Sequence, residues 1–231
     1  MAVMEMRWVD LCFLHWSLTP DCLRPLIPES LELDTFGGRA WLALVPFHMT
    51  GVKPPGWPDI PGISAFSEFN VRTYVRDREV GGVWFFSLDA AHPLAVRAAR
   101  RLFHLPYFDA EFSRSWQQGW CHYQVSRTHL GAPGVEFQGH YGPDGETFRA
   151  PPGSLEEWLT ERYWLFSQAP NGKLYRGRVY HEPWSLQPGR CQIDHQSMER
   201  PLGLKFSGPP ESVLYSGHLW VKADALQPAR L

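Results

Sequence analysis

Apolar and polar positions alternate most clearly between residues 66 and 107. Residues 67–75 follow the period of two that a strand imposes. Phe69, Val71, Thr73 and Val75 fall on one face, and Glu68, Asn70, Arg72 and Tyr74 on the other. A charged turn at 76–82 leads to a second strand at 83–89. Pro93 then opens a helix over 93–103, since proline suits the first helical position, and Leu105-Pro106-Tyr107 follows. A solvent-facing strand usually carries Thr, Lys, Ser and Glu. An acid, an amide, a guanidinium and a phenol in register are the groups that orient a small polar ligand, although a Glu and an Arg two residues apart also form ordinary surface pairs.

The flanking segments read as short strands joined by turns. An aromatic-rich run covers 8–17. Thr19-Pro20 opens a short helix with Leu23 and Leu26 inward, and Gly37-Gly38 joins a strand from Leu31 to a strand over 39–47 as a hairpin. Prolines and glycines crowd 50–63, which predicts an irregular loop packed through Trp57, Ile60 and Ile63 at a pocket rim. Strands are expected at 120–127 and 134–141, with a turn at 142–145. Ser154 and Glu157 have capping-box spacing. They start a helix whose Leu155, Trp158, Leu159, Arg162, Tyr163 and Phe166 share one side. An arginine inside that aromatic stripe requires an acceptor. A strand at 174–184 divides Arg176, Arg178, Tyr180 and Glu182 from Tyr175, Gly177, Val179 and His181, and predicts a second pocket-forming element. The last elements fall near 202–206 and 212–224.

Composition narrows the class. Twenty glycines, 21 prolines and 14% aromatic residues, spread between short apolar runs, are the signature of a mainly β sandwich or barrel. A chain of 231 residues fits one domain over 1–231. The formal net charge of -2 gives no footprint for nucleic acid or an anionic membrane. An acid near the N-terminus and no long uncharged apolar run predict neither a secretory leader nor a spanning helix. Cys12, Cys22, Cys121 and Cys191 are widely spaced, as expected of reduced thiols in a cytoplasmic protein. Exposed strand edges and many tryptophans make homo-oligomerisation an expectation.

Several chemistries lack their residues. Ten histidines form no metal-ligand spacing, so no metal is expected. There is no nucleophile elbow, Walker loop or dinucleotide fingerprint, and no cofactor is expected. The arginines at 97, 100 and 101 suit the C-terminal half of an exposed helix. His181 and His218 end or interrupt strands where a ring can reach an interior, in a packing role or a proton-transfer role.

The segments Ser67-Glu68-Phe69-Asn70-Val71-Arg72-Thr73-Tyr74-Val75, Gly82 to Asp89 and Leu105-Pro106-Tyr107 carry a family resemblance, together with His15-Trp16, Leu33-Asp34, Glu161-Arg162-Tyr163 and His181-Glu182-Pro183-Trp184. The sequence resembles the uncharacterised YqjF-like proteins, a domain of unknown function related to acetoacetate decarboxylases. The resemblance implies an antiparallel β-barrel with a few peripheral helices and an interior pocket. It implies that Glu68 matches a pocket glutamate of the decarboxylases. It also places Tyr107 and Phe108 where their substrate-bonding lysine motif would stand. A phenol cannot form an imine, so Schiff-base chemistry does not carry over, and Lys205 is the one lysine weighed as a substitute.

Two function classes follow. The first is a pocket for a small carboxylate or keto-acid-like metabolite, with Arg72 or Arg176 on the carboxylate and Asn70, Tyr74 and Arg162 as further ligand-binding groups. As an enzyme it would be a cofactor-free lyase or isomerase with Glu68 or His181 as base and Tyr107 as acid. The second is a non-catalytic sensing or structural protein whose polar strand face forms a buried network.

Overall fold

The computed structural model describes residues 2–60 and 63–231. Met1, and the Pro61 and Gly62 of the expected rim loop, lie outside the described residues. The chain is mainly β. Its strands are β1 (Ala2–Leu18), β2 (Glu32–Leu33), β3 (Ala40–Lys53), β4 (Phe66–Arg76), β5 (Gly81–Ala90), β6 (Tyr107–Gln117), β7 (Trp120–Arg127), β8 (Glu136–Pro143), β9 (Trp164–Gln168), β10 (Leu174–Tyr180), β11 (Gln187–Gln196), β12 (Ser212–Asp224) and β13 (Gln227–Pro228). The helices are α1 (Pro20–Leu23), α2 (Pro93–Leu102) and α3 (Leu155–Thr160). Among the described residues, no helix is long and apolar enough to cross a membrane.

Hydrogen-bonded pairing runs from β5 through β4, β3, β1, β12, β10 and β9 back to β5. A second path, β6–β7–β8–β11, joins β5 to β12 as an outer layer. Most pairs are antiparallel. The exceptions are β5–β6 and β5–β9, which are parallel. Parallel pairing of β5 with β9 brings the backbones close at Gly82, where a Cβ would lie 2.4 Å from the Trp164 carbonyl oxygen.

Central strands are buried on both faces because two apolar layers meet on them. Leu14, Leu42, Leu44, Phe69 and Val71 pack against Tyr123, Phe137 and Tyr141 of the outer layer. The opposite faces of β1 and β3 carry Phe13, Ala43, Val45 and Phe47 into a second cluster with Trp184 and Val221. The polar face of β4 therefore does not meet bulk water. It looks into the space enclosed by the ring of pairings.

Other expectations shift. Gly37 and Gly38 both have positive φ (58° and 75°) and close a two-residue turn between Phe36 and Arg39. However, β2 pairs with β4 rather than β3, so the expected hairpin is limited to the single antiparallel bridge Phe36–Arg39. β3 extends to Lys53, and Trp57, Ile60 and Ile63 are exposed rather than packed. α3 ends at Thr160, and the second half of the expected helical stripe forms β9. The element expected near 202–206 is a 3-10 turn over Arg200–Leu202.

Candidate functional site

The enclosed space is a cavity of about 200 Å³ whose lining is mostly apolar, with Glu68, Asn70, Arg72, Tyr107, Thr160, Arg162 and His181 as its polar side chains. Glu68, Asn70 and Arg72 are 3%, 5% and 8% exposed. They project inward because positions i, i+2 and i+4 of a strand share a face. Val45 and Phe47, their partners on β3 at Asn70 and Glu68, line the same cavity.

Tyr107 reaches this floor through local geometry. α2 is capped by His92, whose ring nitrogen accepts from the Ala95 N–H at 3.2 Å. It ends before His104, which turns the chain in the left-handed region (φ 50°). Leu105 and Pro106 then lead into β6, which pairs with β5 from its first residue. The Tyr107 phenol lies 2.8 Å from Glu68 Oε2 and donates to it when the carboxyl is ionised. Burial pushes the Glu68 carboxyl up to about 8. The hydrogen bonds from Tyr107 and Asn70 pull the other way, and the Asp89 charge adds to the rise. Burial also raises the Tyr107 phenol well above its ordinary range. At neutral pH Glu68 is mostly a neutral acid. Asn70 holds it on one side, yet the Asn70 Oδ1 itself has no partner.

Arg72 is the second lining group with an unpartnered polar atom. Its Nη2 makes a long 3.5 Å contact to the Leu159 carbonyl, and its guanidinium lies over the rings of Phe13 (5.3 Å) and Tyr74 (5.8 Å). Its Nε has no partner, and no carboxylate pairs with it among the described residues. Arg162 finds the acceptors its setting required: Asp34 at 2.7 Å and the Trp158 carbonyl at 2.6 Å. It stacks on Trp158 and leaves Nη2 unpartnered. Two guanidinium groups thus line one cavity, and among the described lining residues the one acid is Glu68.

His181 lines the cavity half-buried, stacked on Tyr163 at 4.6 Å. Its Nδ1–H donates to the Glu182 carbonyl at 2.8 Å, and burial lowers its pKa. Tyr74 lies outside the lining. Its hydroxyl donates to the Leu159 carbonyl (3.0 Å) and receives the His15 Nε2–H (2.7 Å). Burial holds His15 well below the usual imidazole range, so it is neutral with Nδ1 bare. Tyr74 is a wall-bracing group rather than a ligand-binding one.

Arg176 is not at the site. It is buried elsewhere against Asp77 and Glu79, each at 2.8 Å, and pins the β4–β5 turn to β10. The other face of β10 contributes Val179 to the cavity. Lys205 is exposed, and no lysine lines the cavity among the described residues. Sequence reasoning missed Asp89 and Arg127, a buried bidentate pair at 2.6 and 2.8 Å that stands behind Glu68. Asp89 ends a strand and Arg127 another, with no shared motif to link them. No cluster of three or more metal-ligating side chains occurs among the described residues.

The chain is 40% identical over 210 residues to the uncharacterised protein YqjF of Bacillus subtilis (strain 168), covering 91% of this chain and 84% of that one. Solved structures share the fold at low identity. An acetoacetate decarboxylase-like enzyme from Sphingomonas wittichii RW1 has a TM-score of 0.64 at 12% identity, over 100% of this chain and 95% of that one. The enduracididine biosynthesis enzyme MppR, complexed with pyruvate, has a TM-score of 0.63 at 14% identity, over 100% and 91% of the two chains. The family model described as an uncharacterised conserved protein, DUF2071, matches residues 5–219, and the chain belongs to that family.

Proposed function

We propose that the chain is one acetoacetate decarboxylase-like barrel domain that binds a small carboxylate in its interior, with Arg72 as the principal anion contact. One observation carries this reading. A guanidinium buried on a cavity wall without an acid is costly unless a ligand supplies the charge. Arg162, whose guanidinium lies near the same Tyr74 ring, contributes its unpartnered Nη2, and Asn70 and Tyr107 address the rest of the ligand. The ring of pairings is read as the barrel wall, and pyruvate in MppR is a small carboxylate held by a protein of similar fold. A cavity of about 200 Å³ limits the ligand to a small metabolite, since drug-sized ligands occupy roughly 300–1,000 Å³.

Glu68 and Tyr107 support a second, catalytic step on the same ligand. A carboxyl poised near 8 and hydrogen-bonded to a phenol exchanges a proton close to neutral pH, which suits a cofactor-free lyase or isomerase. His181 stands as an auxiliary base at the cavity wall. Calorimetric titration tests the binding claim with small monocarboxylates and their uncharged amides. Saturable binding is expected for the acids alone and is lost in Arg72→Met; equal binding of the amides, or unchanged binding in the variant, refutes it.

A further inference from the structure

The polar groups of the cavity wall are mostly paired within the protein. The Tyr107 hydroxyl is bonded to Glu68 at 2.8 Å. The Thr160 hydroxyl donates to the Glu156 carbonyl at 2.7 Å, and the His181 Nδ1–H to the Glu182 carbonyl at 2.8 Å. Asn70 is hydrogen-bonded to the Glu68 carboxyl, whose own proton can satisfy its Oδ1. The other buried unpartnered atoms on lining residues are N–H donors: Arg72 Nε, Arg162 Nη2 and Trp8 Nε1. They suit the oxygens of a carboxylate, and they give a ligand's own N–H or O–H no buried acceptor.

The charge sits at one end of the space. Arg72 pairs in register with Ala43 of β3, and its guanidinium lies over Tyr74, whose hydroxyl is bonded to the buried His15. From there β4 runs through Asn70 and Glu68 to Phe66, opposite Val45, Phe47 and Met49 of β3. Phe66 and these three partners line the cavity. Further along, Met4, Ala223 and Val179 are half-buried neighbours across β1, β12 and β10. Ala98 and Leu102 of α2 line the same space and are exposed, which puts the mouth at α2.

Between the arginine end and the mouth the wall offers a ligand aliphatic and aromatic surface, and such surface gains only by being removed from water. Methionines at 4, 6 and 49 let that surface adapt to what covers it. An apolar cavity of about 150 Å³ holds the six carbons of benzene. In proportion, about 200 Å³ holds about eight non-hydrogen atoms, the size of hexanoate. Resting on the carboxylate reading above, we infer that the ligand is a monocarboxylate with an unfunctionalised hydrocarbon body of about five carbons. Its carboxylate lies on Arg72, and its tail runs between β3 and β4 toward the mouth at α2.

Calorimetric titration of the full chain with propanoate, butanoate, hexanoate and octanoate tests this, beside pyruvate and hexanamide. Affinity is expected to rise about fourfold per methylene, hence about fifteenfold from butanoate to hexanoate, and to gain less from there to octanoate as the cavity fills. Pyruvate, the size of butanoate, should bind several-fold more weakly because its oxo group meets an apolar wall. Ala98→Trp narrows the mouth from an exposed helix position and should cost octanoate about tenfold more than butanoate. Equal affinities across the acids, pyruvate bound more tightly than butanoate, or an equal effect of Ala98→Trp on both acids overturns the hydrocarbon inference and leaves the carboxylate reading standing. Hexanamide bound as tightly as hexanoate, or no binding of any acid, overturns both.

Discussion

Glu68→Gln should abolish a large, pH-dependent loss of stability. In the folded chain the Glu68 carboxyl is held up to about 8, whereas its ordinary value is 4.5. Between those limits the folded state keeps a proton that the unfolded chain releases, so stability falls as pH rises through this window and levels off above it. The difference of roughly 3.5 pH units, at about 1.4 kcal/mol each, amounts to about 5 kcal/mol. Glutamine reproduces the neutral carboxyl, with its oxygen accepting from Tyr107 as the carboxyl oxygen does, and it never ionises. Urea unfolding of both proteins from pH 5 to 9 is the assay. Taking the difference cancels every other titrating group, including His15, whose lowered pKa makes stability fall below about 6.5 in both chains. The variant's advantage should grow steadily with pH up to about 8. A difference that stays flat across the range would refute the claim that Glu68 is a buried neutral acid.

Three further outcomes follow from the geometry. Arg176→Ala should leave carboxylate binding intact, because Arg176 lies outside the cavity, while lowering stability by about 2–4 kcal/mol as Asp77 loses its buried partner; titration and unfolding of the one variant read both. Asp89→Asn should cost about 3–5 kcal/mol in denaturant unfolding, since it strands the buried Arg127. Tyr107→Phe should keep the fold yet weaken ligand binding about tenfold by removing the hydroxyl that fixes the Glu68 carboxyl on the cavity wall, checked by calorimetry.

The polar face of β4 was legible because a period of two needs only nine residues to declare itself. What the pattern did not carry was whether that face meets water or an interior. This was settled by the outer β6–β8 layer, which covers Phe69 and Val71 and leaves Glu68, Asn70 and Arg72 facing inward. Arg176 misled for the same reason: alternation assigns it a face, but its acids Asp77 and Glu79 lie about a hundred positions away in a turn. The stripe from Leu155 to Phe166 satisfied a helical period throughout, yet pairing with β5 and β10 claimed its second half. Short apolar runs fit both periods, and long-range pairing then decides. Arg162 was read correctly as needing an acceptor, while the identity of that acceptor, Asp34, belongs to tertiary structure.

The most direct test compares the unfolding free energy of Arg72→Met with that of the wild type, with and without a small monocarboxylate. If Arg72 is held for a ligand, removing an unpaired buried charge should make the empty protein about 1–3 kcal/mol more stable, and the carboxylate should stabilise the wild type alone. A variant that is less stable when empty, beside a wild type indifferent to carboxylates, would show that Arg72 serves the fold instead.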